Sequence, residues 1–118
     1  MKPTEAPEAQ VAGISFAKNS HAMWVFDLET LEFLDVNDAA VEIYGYSRSE
    51  FLKMKITDIR PFEDVPALLR QTRRIEGPAT GAHWRHRTKN GNVFPVAITS
   101  WELTFRGRPA ELVLARQE

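Results

Sequence analysis

VNDAAVEIYGYSRSEFL, residues 36–52, writes out two short helices together with their start and stop signals. Asn37 is an N-cap residue, since its side-chain oxygen can accept from the free N–H groups of a first turn. Val36 before it and Val41 after it occupy the two positions of a hydrophobic staple. Ala40, Val41, Ile43 and Tyr44 follow, and Gly45 ends the helix as the residue that most readily turns left-handed at C′. Ser47-Arg48-Ser49-Glu50 is then a capping box, with Tyr46 and Phe51 placed as its staple. So short a linker predicts a sharply bent helical connector.

Toward the N-terminus, Leu31 to Val36 reads as a strand, and Ala22 to Leu28 (AMWVFDL) as an apolar, β-prone one. Asp27 and Glu29-Thr30 supply turn chemistry between them, which makes the pair a hairpin. Glu8 to Lys18 carries Val11, Ile14 and Phe16 at a spacing that suits a short helix, weakened by Gly13 and broken by Asn19-Ser20-His21. Residues 1–13 are expected to be a flexible lead-in or N-terminal cap, and residues 14–118 a single domain. Toward the C-terminus, Lys53 to Arg60 is transitional, with Met54, Ile56 and Ile59 for a core and Thr57-Asp58 to cap one turn. Pro61 marks the next start, and Glu63 and Asp64 suit a first helical turn. Val65, Leu68, Leu69, Thr72 and Ile75 recur at helical spacing up to Gly77-Pro78.

The last third is strand signal. Ala82 to Thr88 and Val93 to Phe105 flank the turn Lys89-Asn90-Gly91-Asn92, and Arg106-Gly107-Arg108-Pro109 turns the chain into Ala110 to Arg116. The order is ββαααβββ, an α+β domain with a five-stranded antiparallel sheet and its helices on one face.

At 118 residues, 43% hydrophobic and 26% charged, the chain has the make-up of one globular domain with one core. Its net charge of −1 gives no reason to expect nucleic acid or an anionic membrane as partner. No apolar run approaches the roughly 20 residues of a membrane helix, and MKPTEAPEAQ at the start lacks the apolar stretch of a signal peptide. A cytoplasmic location is expected. The absence of cysteine rules out disulfides, a thiolate nucleophile and a flavin–cysteinyl adduct.

In that order and spacing, three stretches resemble a PAS domain, over about residues 14 to 116. HAMWVFDLETLEFLDVNDAAVEIYGYSRSEFL (21–52) is similar to the family's first hairpin and following helices. ITDIRPFEDVPALL (56–69) resembles the entry into its long helix, and WRHRTKNGNVFPVAITS (84–100) its central hairpin. The end departs from the pattern: where the family commonly finishes with Asp-Ile-Thr or similar and enters a coiled coil, Leu112 to Arg116 runs into Gln117-Glu118. The resemblance implies a sensory or docking module of a larger signalling protein, often a bacterial histidine kinase or cyclic-dinucleotide enzyme, that dimerises and regulates an attached output domain.

Strand alternation decides which side chains face the helices. A two-residue Asn90-Gly91 turn would set His86 with Pro95 and Ala97. A three-residue loop with Gly91 left-handed would set Trp84 and His86 with Val96, Ile98 and Ser100. The family resemblance selects the second. The inner face then carries Trp24, Phe26, Trp84, His86, Val96, Ile98 and Ser100, covered by Ile43, Ile56, Ile59, Leu68 and Leu69. Two readings stand: a plain core in which bulky aromatics fill the volume, or a small-molecule pocket with His86 and Ser100 as its polar contacts. On the outer face Ala97, Thr99, Trp101, Leu112 and Leu114 form an apolar surface where a solvated sheet should be polar. Its expected cover is the N-terminal segment around Val11, Ile14 and Phe16 together with a second protomer.

Cofactor chemistry known in PAS relatives finds little support. Light-driven flavin adducts and p-coumarate both need cysteine, and haem of the oxygen-sensor type needs a histidine that Glu63 to Glu76 lacks. Haem through His83 or His86, and non-covalent flavin, are left as minor readings; no cofactor is predicted. His83 and His86 point to opposite faces of a strand and cannot share a metal ion. Asp27, Asp35, Asp38, Asp58 and Asp64 sit at turns and helix starts, where capping explains them. No nucleophile motif or phosphate-binding loop suggests catalysis. Arg70, Arg73, Arg74, Arg85 and Arg87 are matched by acids and do not make a nucleic-acid surface.

Overall fold

The chain starts its first strand at Ala22 because AMWVFD can bury side chains on both sides. All six residues of β1 (Ala22–Asp27) are buried. The computed structural model describes residues 15–72 and 79–118. Val11, Ile14, most of the expected 8–18 helix and the 73–78 end of the long helix lie outside the described residues. Within them, Phe16 to Lys18 form a turn, with the Asn19 N–H donating to the Phe16 carbonyl at 3.4 Å.

Asp27 builds the first hairpin turn by accepting from the N–H groups of Glu29 (2.7 Å) and Thr30 (3.1 Å), and Leu31 takes a left-handed φ of 68°. β2 (Phe33–Val36) then pairs antiparallel with β1. Asn37 caps α1 (Asp38–Tyr44), its Oδ1 accepting from the Ala40 N–H at 3.0 Å, and Gly45 closes it at φ 86°. The Ser47–Glu50 capping box opens α2 (Arg48–Phe51). The single turn at Ile56–Ile59 is a 3-10 helix whose start is held by Asp58, accepting from the Lys55 N–H at 2.9 Å. A further 3-10 turn, Phe62–Asp64, leads into α3 (Val65–Thr72).

β3 (Ala79–Arg87), β4 (Val93–Phe105) and β5 (Arg108–Gln117) complete one five-stranded antiparallel sheet. Its order is β2-β1-β5-β4-β3, so the last strand lies in the middle. The β3–β4 loop has three residues. The Thr88 N–H donates to the Asn92 carbonyl, the Gly91 N–H to the Thr88 carbonyl, and Gly91 takes φ 96°. Trp84 therefore pairs with Val96 and His86 with Phe94, which sets both on the inner face.

Two hydrophobic clusters follow from the alternation. The inner one joins Trp24, Phe26, Val96, Ile98, Val113 and Ala115 of the sheet to Ala40, Tyr44, Phe51, Ile56, Ile59 and Leu68 of the helical side. The outer one holds Phe16, Met23, Val25, Phe105, Ala110, Leu112 and Leu114. One expectation needs correction. Leu69 remains 37% exposed, because α3 turns only Leu68 fully into the core. On the outer face Leu112 and Leu114 are 1% and 7% exposed within the single chain, in a cluster that includes Phe16 of the expected N-terminal cover.

Candidate functional site

The end of α1 and the β3–β4 loop are tied together by main chain. The Tyr44 carbonyl accepts from the Lys89 N–H at 2.9 Å, which lays the Tyr44 side chain against β3. Its hydroxyl meets His86 Nδ1 at 2.5 Å. Trp24, Tyr44 and Phe94 surround the His86 ring, with centroids 5.6, 5.6 and 6.4 Å away. Arg60, where the chain leaves the Ile56–Ile59 turn, lays its guanidinium over the Trp84 ring, 5.1 Å from the centroid.

These are polar groups in a dry place, and their chemistry shows it. Burial, helped by the nearby Arg60 charge, holds His86 well below its ordinary 6.5, so the imidazole is neutral. Burial pushes the Tyr44 phenol up, so it stays protonated. Burial also brings Arg60 down to about 10, against the pull of Tyr44 and Asp64. Three buried atoms here have no hydrogen-bond partner: His86 Nε2, Arg60 Nε and Arg60 Nη1. Buried polar atoms are nearly always paired, so these three are the candidate contacts for a further polar group.

A second polar point lies farther along the inner face. Glu111 of β5 is 4% exposed, and its Oε1 is unpartnered. Burial raises its carboxyl to about 7, with Ser100 hydrogen bonding in the opposite direction and Glu102 adding repulsion. Two open clefts flank Tyr44. One of about 330 Å³ runs between Glu42–Gly45 and the β3–β4 loop, and one of about 240 Å³ runs beside His21, Ala22 and Ala115.

Among the residues expected on the inner face, Trp24, Phe26, Ile56, Ile59, Leu68, His86, Val96, Ile98 and Ser100 are buried. Ile43 and Trp84 pack at the cluster's margin, and Leu69 does not join it. On the outer face Phe16, Ala97, Leu112 and Leu114 are buried, while Thr99 and Trp101 are partly exposed. Sequence reasoning missed Arg60, Tyr44, Phe94 and Glu111 as parts of the site. Alternation from Val96 and from Leu112 would have found Phe94 and Glu111. Nothing local distinguishes Arg60 from a surface arginine. Among the described residues no three acidic or histidine side chains gather as metal ligands. No described helix is long and apolar enough to cross a membrane.

The fold recurs in solved structures. A domain of the sensory box sensor histidine kinase/response regulator from Geobacter sulfurreducens is 26% identical, with a TM-score of 0.73 over 86% of each chain. A PAS domain from a two-component sensor histidine kinase is 25% identical, with a TM-score of 0.71 over 86% of this chain and 88% of that one. The PAS domain of an HTR-like protein from Haloarcula marismortui superposes with a TM-score of 0.76 at 17% identity, over 87% and 85% of the two chains. No curated protein sequence matches. The family model for the PAS domain matches residues 20–113, most of the chain from before β1 into β5, and the chain belongs to the PAS domain family.

Proposed function

We propose that the domain is the cytoplasmic sensory module of a larger signalling protein, a sensor histidine kinase or a cyclic-dinucleotide enzyme. In this reading a small molecule on the inner sheet face regulates an attached output domain. Two copies pair through the outer face and the N-terminal segment, and the pairing carries the signal. The module is regulatory, and the chemistry belongs to its output domain. The observation that carries the reading is the set of unpartnered buried donors on His86 and Arg60, which a bound molecule would satisfy. Glu111 and Ser100 offer further polar contacts on the same face.

Native and denaturing mass spectra of the freshly purified domain, with an absorption spectrum alongside, test this. A mass excess that disappears on denaturation is the expected outcome. An apo mass without colour favours a ligand-free dimerisation or docking domain instead. One feature supports that second reading: Trp24, Phe33, Tyr44 and Phe51 interlock edge to face and fill much of the inner volume.

A further inference from the structure

Arg60 poses a problem of charge balance. The residue is 6% exposed, two of its guanidinium nitrogens have no partner, and one face of the group is covered by Trp84. An unpaired cation in such a place is costly, and proteins normally set a carboxylate against it. Asp64, the acid whose charge acts on Arg60, is already engaged. Both its oxygens accept from Arg85, from Nε at 3.0 Å and Nη2 at 2.8 Å. Tyr44 and His86 are both neutral and contribute no negative charge.

Beside this cation stands a directed donor. The protonated Tyr44 hydroxyl is assigned as the donor to Nδ1, which puts the proton of the neutral His86 ring on Nε2, an atom with no partner. The missing partner is thus an acceptor with one negative charge, able to take hydrogen bonds from a guanidinium and an imidazole. We propose that it is the carboxylate of a small organic monoanion, held by Arg60 and His86, with its apolar body against Trp84 and Phe94.

This rests on the small-molecule reading of the inner face and gives that molecule a chemical class. A carboxylate matches the planar guanidinium, and its single charge cancels the single excess one. Inorganic phosphate, with a second negative charge near neutral pH, would leave one charge buried and unbalanced. The aromatic walls favour an apolar body over a sugar or polyol. Trp84 is partly exposed and also borders an open cleft of about 400 Å³ with Asp64, Ala67 and Pro95. A swing of its ring would open a path to Arg60.

The test uses the 118-residue chain with benzoate as probe, benzamide as its neutral counterpart, and inorganic phosphate. Benzoate at tenfold its dissociation constant should raise the melting temperature by about 5 °C, because it binds only the folded chain. Benzamide and phosphate should not. The His86 ring resonances should move with benzoate alone, a readout that requires no variant. Arg60→Met keeps much of the side-chain bulk, relieves the unpaired charge and should abolish the benzoate response. No response to benzoate, an equal response to benzamide, or a response that survives in Arg60→Met overturns the proposal. A neutral molecule found in the native mass spectrum would sink the anion site while leaving inner-face sensing intact. An apo mass together with no response to benzoate would sink both.

Discussion

Glu111 projects from the central strand onto the inner face, where burial lifts its carboxyl from the ordinary 4.5 to about 7. Between those values the folded chain keeps a proton that the unfolded chain has released. Stability therefore falls as pH rises through that window and stays low above it. Glu111→Gln removes the titrating group, so the variant should match the wild type near pH 4.5 and exceed it above pH 7. The gain should be on the order of 2 kcal/mol. Parallel melting curves for the two proteins across this range would show that Glu111 finds water in solution. His86 works in the other direction. The unfolded chain takes up its proton below pH 6.5 and the folded chain resists, so acidification costs stability, which is why the comparison with Glu111→Gln is needed. Asn37 shows how far one residue can be read. Its cap was legible, because an N-cap followed by an apolar helical face is a local pattern. Its other bonds were not: Nδ2 donates to the Phe16 carbonyl at 2.9 Å and the His21 carbonyl at 3.1 Å, and Oδ1 accepts from the Met23 N–H at 2.9 Å. Those partners lie 14 to 21 residues away, and no spacing rule reaches them.

The α1–α2 connector was legible nearly to the residue, because capping boxes and a left-handed glycine are short-range signals. Gly45 holds φ 86°, and a methyl group there would sit 3.5 Å from Lys89 Cβ, an ordinary contact. The cost of Gly45→Ala is therefore backbone conformation alone, partly offset by a stiffer unfolded chain, and should be about 1 kcal/mol. A lower urea midpoint at unchanged slope is the expected result, and an unchanged midpoint would mean that the connector can end some other way. The β3–β4 hairpin was legible only in part. Its residues allow either loop length, and the three-residue form wins because it buries His86 and sets Trp84 at the core's margin beside Val96 rather than outward. The capping of the Ile56–Ile59 turn was legible in the Thr57-Asp58 pair, of which Asp58 is the member that acts. Lys55 has no capping side-chain oxygen, and Asp58 does the work from three residues downstream.

At the scale of the whole molecule, the fold class followed from the order of elements, whereas the strand order did not, since pairing across some 90 residues leaves no mark in either segment. The outer face shows the consequence of counting apolar residues without that order. Leu112 was read as needing a cover from outside the sheet, and it lies on the middle strand, opposite Trp101 on β4 and Val25 on β1, buried within the chain. Among the described residues, the partly exposed part of that face is a smaller patch around Trp101, Leu103 and Thr99. Replacing Trp101 with Arg should weaken self-association and leave the melting temperature nearly unchanged, since the residue is only partly buried. Sedimentation velocity that finds the same dimer fraction would move the interface elsewhere. The central position of β5 also governs how the sheet can be assembled. The β1–β2 and β3–β4 hairpins share no ladder and are joined only through β5, with Ala22 pairing with Ala115 at one end and Val96 with Gln117 at the other. Without β5 (Arg108–Gln117) the two hairpins are ribbons with bare edges and nothing to zip them together. Closure of the sheet waits for β5 to dock between them, and the sheet folds by long-range pairing, the slow regime for a domain of this size.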